Sequence, residues 1–182
     1  FNSWKGLLYS KWYEAIIHKD FLPPIEASLD PVHSCNLNCS HCNARRYLKE
    51  DMMSKEHLFD LVEFLADWEV EAICFGGGGE PTLHPNLLEA IKNSYFMDLE
   101  NSVATNGIIY VKKMPSFCRW IGISVDAATP ETYLKGKKKN LFNIVIKNIE
   151  KYLEKAEEDC DICYKFLIFD YNQHEIFHAC EL

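Results

Sequence analysis

Short apolar segments of strand length alternate along this chain with amphipathic segments of helical period, and few folds accept that order. "IEASLD" (25–30), "EAICFG" (71–76), "NSVAT" (101–105), "WIGISVD" (120–126) and "ICYKFLIF" (162–169) have the length and the β-branched or aromatic content of strands. Between them, "SKEHLFDLVEFLADW" sets Leu58, Leu61, Val62 and Leu65 on one helical face behind Ser54 as a cap, and "HPNLLEAIKNSYF" carries Pro85 where a first-turn proline belongs. "TPETYL" opens with Thr129 before Pro130 in the same manner. "LFNIVIKNIEKYLEKA" repeats Leu141, Ile144, Val145, Ile149, Tyr152 and Leu153 at helical spacing. Repeated β-α units of this kind specify an α/β fold with a parallel sheet, either open or curled into a full or partial barrel.

In such sheets the chemistry collects in loops that leave the C-terminal ends of strands. Here every loop with unusual residues follows a strand: cysteines after the first, "GGGEP" after the second, "NG" after the third and "DAATP" after the fourth. One shared site is therefore expected. The first of these loops, "HSCNLNCSHCNARRY" (33–47), presents Cys35, Cys39 and Cys42. Three thiolates so close together bind zinc or an iron–sulfur cluster. A structural zinc site needs a fourth ligand, for which His33 and His41 are the nearby candidates. A four-iron cluster on three cysteines instead leaves one iron free to bind a small molecule.

Composition narrows the setting. The 182 residues are 48% hydrophobic and 13% aromatic, ample for a packed core. Lys plus Arg number 19 against 27 Asp plus Glu, a net charge of -8, so no global basic field draws the protein to nucleic acid or anionic lipid. Phe1 is not followed by a basic leader with a cleavage site, and no apolar run reaches the roughly 18 residues of a membrane helix. A cytoplasmic location without membrane contact is the expectation. Of the 8 cysteines, Cys74 and Cys118 lie in or beside apolar runs and read as small hydrophobes. A disulfide framework would belong to a smaller secreted chain.

The segment "CNLNCSHC" resembles the CxxxCxxC signature of the radical S-adenosylmethionine (radical SAM) superfamily, with His41 in the place where that family carries an aromatic residue or histidine. Gly78, Gly79, Glu80 and Pro81 match its "GGEP" motif, "TNG" (105–107) the end of its third strand, and "SVDA" (124–127) its fourth. The resemblance runs from about residue 25 to the end, leaving 1–24 as an N-terminal extension, and implies a partial (β/α) barrel. It further implies that Cys35, Cys39 and Cys42 hold a [4Fe-4S] cluster whose open iron chelates the amino and carboxylate groups of SAM. An electron, delivered by a donor such as flavodoxin or ferredoxin, then cleaves the sulfonium to a 5'-deoxyadenosyl radical that abstracts hydrogen from substrate.

On that reading the companion motifs become cofactor contacts. Gly77, Gly78 and Gly79 permit a strand-end backbone that approaches a ligand closely, so that carbonyls there accept from the SAM ammonium; a merely tight turn is the rival. Glu80 adds a carboxylate acceptor or bridges to a neighbouring loop, and Pro81 and His41 are carried by the family motif. Ser124 and Asp126 share strand parity and are expected to face the barrel interior. Lys165 interrupts an apolar strand, so its ammonium must meet a carboxylate: that of SAM, or Asp126 or Glu80. Asn106 contacts SAM or simply forms a turn.

Other features say less. "KGKKKN" (135–140) reads as a solvated basic connection that is able to touch a phosphate. Cys160 and Cys163 have C-x-x-C spacing, but strand alternation separates them in direction; they and Cys180 read as structural. Five strands where the family's partial barrel has six make a truncated C-terminal end the expectation. The substrate is expected to be a peptide or small molecule, with nucleic acid disfavoured by charge. Activation of a partner enzyme through a glycyl radical, and a non-catalytic zinc- or iron–sulfur-binding module, are the alternatives.

Overall fold

Five parallel strands form one open sheet in the order in which they occur along the chain. They are β1 (Glu26–Leu29), β2 (Ala72–Phe75), β3 (Glu100–Thr105), β4 (Trp120–Ser124) and β5 (Asp161–Lys165). The computed structural model describes residues 9–47, 49–156 and 159–182. Its helices are α1 (Ser10–His18), α2 (Lys55–Asp67), α3 (Leu87–Phe96), α4 (Pro130–Lys137), α5 (Phe142–Leu153) and α6 (Ile176–Ala179). The β-α alternation expected from the sequence is thus observed, and strand neighbours in space are neighbours in sequence, as short crossovers dictate.

The register explains why one side of this sheet is core and the other is available for chemistry. Leu29 pairs with Phe75, Ile73 with Asn101, Phe75 with Val103, and Val103 with Ile121. On this face Ile73, Phe75, Val103, Ile121 and Ile123 are all 0% exposed. The α2 residues Leu58, Val62 and Leu65 join them in one apolar cluster. Truncating Leu58 to Ala removes about 2–5 kcal/mol of stability. Apart from Trp120, which pairs with Ser102, the alternate residues towards the C-terminal strand ends are small or polar: Ser28 beside Cys74 beside Ser102, Ala104 beside Gly122, and Ser124 beside Lys165. Beyond Trp120 little side-chain volume stands on that face, so its C-terminal end stays open.

Caps place the helices as their sequences indicate. Ser54 accepts from the His57 N–H at 3.1 Å, and Thr129 accepts from the Thr132 N–H at 3.3 Å with Pro130 in the first turn. Pro85 differs from expectation: α3 begins at Leu87, so the proline lies in the turn before the helix. Ile144 and Leu153 are 46% and 58% exposed, off the buried stripe of α5.

β4 and β5 end earlier than expected, with consequences for the site. β4 ends at Ser124. Asp126 lies beyond it with φ +60°, so its side-chain direction is set by a turn and not by strand parity. β5 ends at Lys165, and Leu167 and Ile168, at 56% and 63% exposure, belong to the segment that leaves it. The basic run 135–140 is not the solvated connection expected: Lys135, Gly136 and Lys137 form the last turn of α4, and Lys137 is 3% exposed. Cys118 and Cys160 are buried, and Cys180 is exposed just after α6. Among the described residues no helix is long and apolar enough to cross a membrane.

Candidate functional site

The loops at the C-terminal strand ends enclose a cavity of 660 Å³, within the roughly 300–1,000 Å³ of small-ligand sites. Its wall contains Cys35, Cys39 and Cys42 after β1, Gly77, Gly78, Gly79 and Glu80 after β2, and Asn106 after β3. Ser124 and Asp126 follow from β4, and Lys165 from β5, together with His41. Of the cluster and cofactor residues that the family resemblance implies, Pro81 alone is not in this wall; it is buried at the start of the 3-10 turn Pro81–Leu83. A second cleft, of 460 Å³ and walled by Arg119, Cys118 and Cys160 among others, contains none of the site residues.

The cysteine loop is held from three sides. Its base forms an antiparallel bridge from Val32 to Met52. The Glu80 N–H donates to the Ser34 carbonyl at 2.9 Å, and the Ser40 N–H and hydroxyl both donate to the Gly136 carbonyl at 2.9 and 3.2 Å. All three thiols are free and half-buried. Burial pushes the Cys35 thiol up in pKa, opposed by the Leu37 N–H, at 3.5 Å from its sulfur, and by the Asn106 amide at 3.9 Å. Burial likewise raises Cys39, opposed by the Lys137 ammonium. Both influences would be overridden by a coordinated metal, which deprotonates a thiol outright.

The donor set fits an iron–sulfur cluster better than a lone ion. Among the described residues no three His, Cys, Asp or Glu side chains converge on one ion-sized point. A single zinc requires all its ligands within about 2.0–2.3 Å, whereas a cluster takes its cysteines on separate irons. The histidines do not complete a zinc tetrahedron. His33 is exposed and belongs to a different cleft, with Asp30 and Asp51. His41 turns Nε2 to Asp126 at 3.4 Å and Nδ1 to the Tyr171 hydroxyl at 3.3 Å, its ring packed 4.5 Å from Phe169. Burial and the Lys137 charge lower its pKa, opposed by Asp126.

The glycine-rich turn serves this loop first. A Cβ on Gly79 would lie 2.0 Å from the Val32 carbonyl oxygen and 2.6 Å from that of Ser34. Gly77, at φ +145°, would bring a Cβ to 2.8 Å from Asp30 Oδ2. Asp30 itself accepts the Gly78 N–H at 2.7 and 2.6 Å. The turn is thus clamped between the β1 exit and the cysteine loop, a closer reason for glycine than ligand approach.

Glu80, 2% exposed, neither bridges to a cation nor offers a free oxygen. Its Oε1 accepts from the Thr82 N–H and hydroxyl at 3.2 and 2.6 Å and the Thr105 hydroxyl at 2.6 Å; its Oε2 accepts the Asn106 N–H at 2.8 Å. Burial raises its pKa against those four donors. It ties the β2 exit to the β3 exit and thereby aims Asn106, whose amide donates to Asn36 at 2.6 Å beside Cys35.

Asp126 is committed as well. Its Oδ2 lies 2.5 Å from Lys137 Nζ, and its Oδ1 accepts the Leu167 N–H at 2.7 Å. Lys165 therefore meets neither acid. Among the described residues its ammonium forms no ion pair, and it rests 5.7 Å above the Trp120 ring. Ser124 stands beside it across the β4–β5 register.

Several site residues escaped the sequence reading. Asp30, at the end of a strand before Pro31, lies in the cleft beside His33 and supports the site from outside by accepting the Gly78 N–H. Lys137 was masked by the charge run around it. Asn36, Tyr171 and Asn172 carried no local signal; Asn172 ties the β4 exit to the β5 exit through the carbonyls of Asp126 and Leu167, both at 2.8 Å.

Comparison with known proteins agrees with this geometry. The radical SAM superfamily model matches residues 29–179. An S-adenosylmethionine-dependent nucleotide dehydratase of Flammeovirga pacifica is 32% identical over 108 residues, 54% of this chain and 37% of the relative. A 7,8-dihydro-6-hydroxymethylpterin dimethyltransferase of Methanocaldococcus jannaschii is 33% identical over 163 residues, 84% of this chain and 32% of the relative. The match therefore spans well under half of either relative. Among solved structures, Streptococcus suis SuiB bound to its precursor peptide SuiA superimposes with a TM-score of 0.72 over 99% of this chain and 42% of that one, at 15% identity, a likeness of fold. With the family model covering most of its length, and the cysteine loop, glycine turn and strand-end residues around one cavity, the chain belongs to the radical SAM superfamily.

Proposed function

We propose that this chain is the catalytic core of an enzyme that binds a [4Fe-4S] cluster on Cys35, Cys39 and Cys42 and SAM beside it, and abstracts hydrogen from a small-molecule substrate. The observation that carries the reading is the single cavity shared by the three thiols, the glycine turn, Ser124 and Lys165. Loaded, the site has the chemistry of one-electron sulfonium cleavage and hydrogen abstraction, with the electron supplied by a flavodoxin- or ferredoxin-type donor.

The chain's own residues bind and orient. Asn106 and the Leu37 N–H direct hydrogen-bond donors at the Cys35 sulfur, a second layer of contacts that stabilises a thiolate ligand. Lys165, which has no carboxylate partner among the described residues, is set to receive the SAM carboxylate, with the Ser124 hydroxyl alongside. The Gly77–Gly79 turn lines the same cavity, and its carbonyls would suit an ammonium there. The two acids in the wall, Glu80 and Asp126, are hydrogen-bonded internally and act as braces.

For substrate, the sequence relatives, a nucleotide dehydratase and a pterin dimethyltransferase, point to nucleotide and pterin heterocycles, a class that suits a cavity of this size. A peptide, as in the SuiB complex, is the second reading, supported by fold likeness alone. Anaerobic reconstitution followed by reduction tests the proposal. Iron and sulfide uptake with 5'-deoxyadenosine release from SAM is expected; zinc uptake without iron, or a reduced cluster that leaves SAM whole, refutes it. Deuterium transfer into 5'-deoxyadenosine from labelled nucleotides and pterins, but not from peptides, is the expected substrate result.

A further inference from the structure

Lys137 and Arg45 are ionised groups in the cavity wall to which the site above gives no task, and Lys137 is the buried one of the two. It is 3% exposed at the last residue of α4, in the same wall as all three cysteines. An ammonium is costly to bury without a partner, and Asp126 supplies one at 2.5 Å. The pair does not float. Asp126 is fixed by the Leu167 N–H at 2.7 Å and by its turn conformation. The residue preceding Lys137 is bound to the residue following Cys39, since both donors of Ser40 meet the Gly136 carbonyl. Replacing a buried ion pair with apolar residues is often neutral or stabilising, so fold stability alone is a weak reason for this one.

We propose that Lys137 is a positioning residue of the cluster site: a fixed positive charge, clamped by Asp126 against the cysteine loop, that raises the reduction potential of the iron–sulfur group carried by Cys39. The inference rests on the proposed function. The step concerned is the transfer of one electron from an external donor protein to the oxidised cluster, with no bond made or broken. The added negative charge is stabilised by a nearby cation, and more so where water is excluded. Lys137 shares the cavity wall with Cys39 and is tied to the cysteine loop through the two Ser40–Gly136 hydrogen bonds, whereas one oxygen of Asp126 is taken up by the Leu167 N–H.

The test is a redox titration followed by electron paramagnetic resonance on wild type, Lys137→Gln, Lys137→Arg and the double variant Asp126→Asn with Lys137→Gln, each reconstituted and assayed for iron and sulfide. Lys137→Gln is expected to keep the cluster and to lower the reduced-to-oxidised ratio at fixed potential about tenfold, which is 59 mV for a one-electron couple. Lys137→Arg should restore the wild-type value. The double variant, which leaves no unpaired buried charge, should fall between. An intact cluster with an unmoved or higher potential in Lys137→Gln and the double variant overturns this proposal alone. Cluster loss in every variant, Arg included, shows a packing role and overturns it too. Wild-type protein that takes up no iron and sulfide overturns the functional reading along with it.

Discussion

The Glu80 carboxylate and the Thr105 hydroxyl, 25 residues apart in sequence, meet at 2.6 Å and join the exit of β2 to the exit of β3. Through the same carboxylate the Asn106 N–H is held at 2.8 Å, so the residue that directs an amide at Cys35 is placed by a side chain whose oxygens are both hydrogen-bonded within the protein. The acid of the glycine-rich motif is thus a brace between strand ends.

Replacing Glu80 with Ala strands the buried donors of Thr105 and Asn106, at about 1–3 kcal/mol for each donor left unpaired. Urea unfolding of Glu80→Ala should show that loss, and SAM affinity should fall because Asn106 is no longer aimed. A variant of wild-type stability and affinity contradicts the brace.

Gly79→Ala and Gly78→Ala should differ sharply. A Cβ at Gly79 meets backbone oxygens of the cysteine loop at 2.0 and 2.6 Å, which retreat only if the loop moves. At Gly78 the obstacle is the Asp30 carboxylate at 2.8 Å, a side chain able to rotate. Iron and sulfide content after reconstitution is therefore expected to drop for Gly79→Ala and to hold near wild type for Gly78→Ala; equal loading of the two proteins would count against the argument.

Lys165→Met should leave iron and sulfide stoichiometry unchanged while weakening SAM. Losing one charge-assisted contact amounts to about 1.5–3 kcal/mol, or roughly ten- to 150-fold in dissociation constant. Calorimetric titration of SAM into the reconstituted variant gives the answer, and undiminished affinity removes Lys165 from the carboxylate site.

Glu175 gives a pH signature remote from the cluster. Burial tends to raise its pKa, but hydrogen bonds from the Ala128 N–H and the Thr129 and Thr132 hydroxyls outweigh it and hold the carboxyl below the usual range. A folded-state pKa below the unfolded one adds stability that is fully present above the unfolded pKa and is lost as pH falls through the folded pKa. Glu175→Gln should accordingly be less stable than wild type at neutral pH, by about 1–3 kcal/mol. The two should converge on acidification. A constant gap across the acid range would rule out the carboxylate as its source.

Much of this architecture is local information. The period of apolar residues specifies each strand and helix, and Ser54 and Thr129 cap their helices through N–H groups only three residues away. The cysteine loop, the glycine turn and "TNG" declare themselves because each chemistry resides within a few consecutive residues, and strand order then brings them to one end of the sheet. What each charged residue does there is a different kind of fact. In sequence, Lys137 is one charge in a basic run; only the docking of the last turn of α4 on Ser40 buries it against Asp126. Asp126 is taken up by Lys137 and the Leu167 N–H, Glu80 becomes a brace, and Lys165 is left without an acid among the described residues for the same reason. A buried charge is defined by the partner that desolvation forces on it. Residues 11 to 41 positions apart find that partner only when the chain has packed.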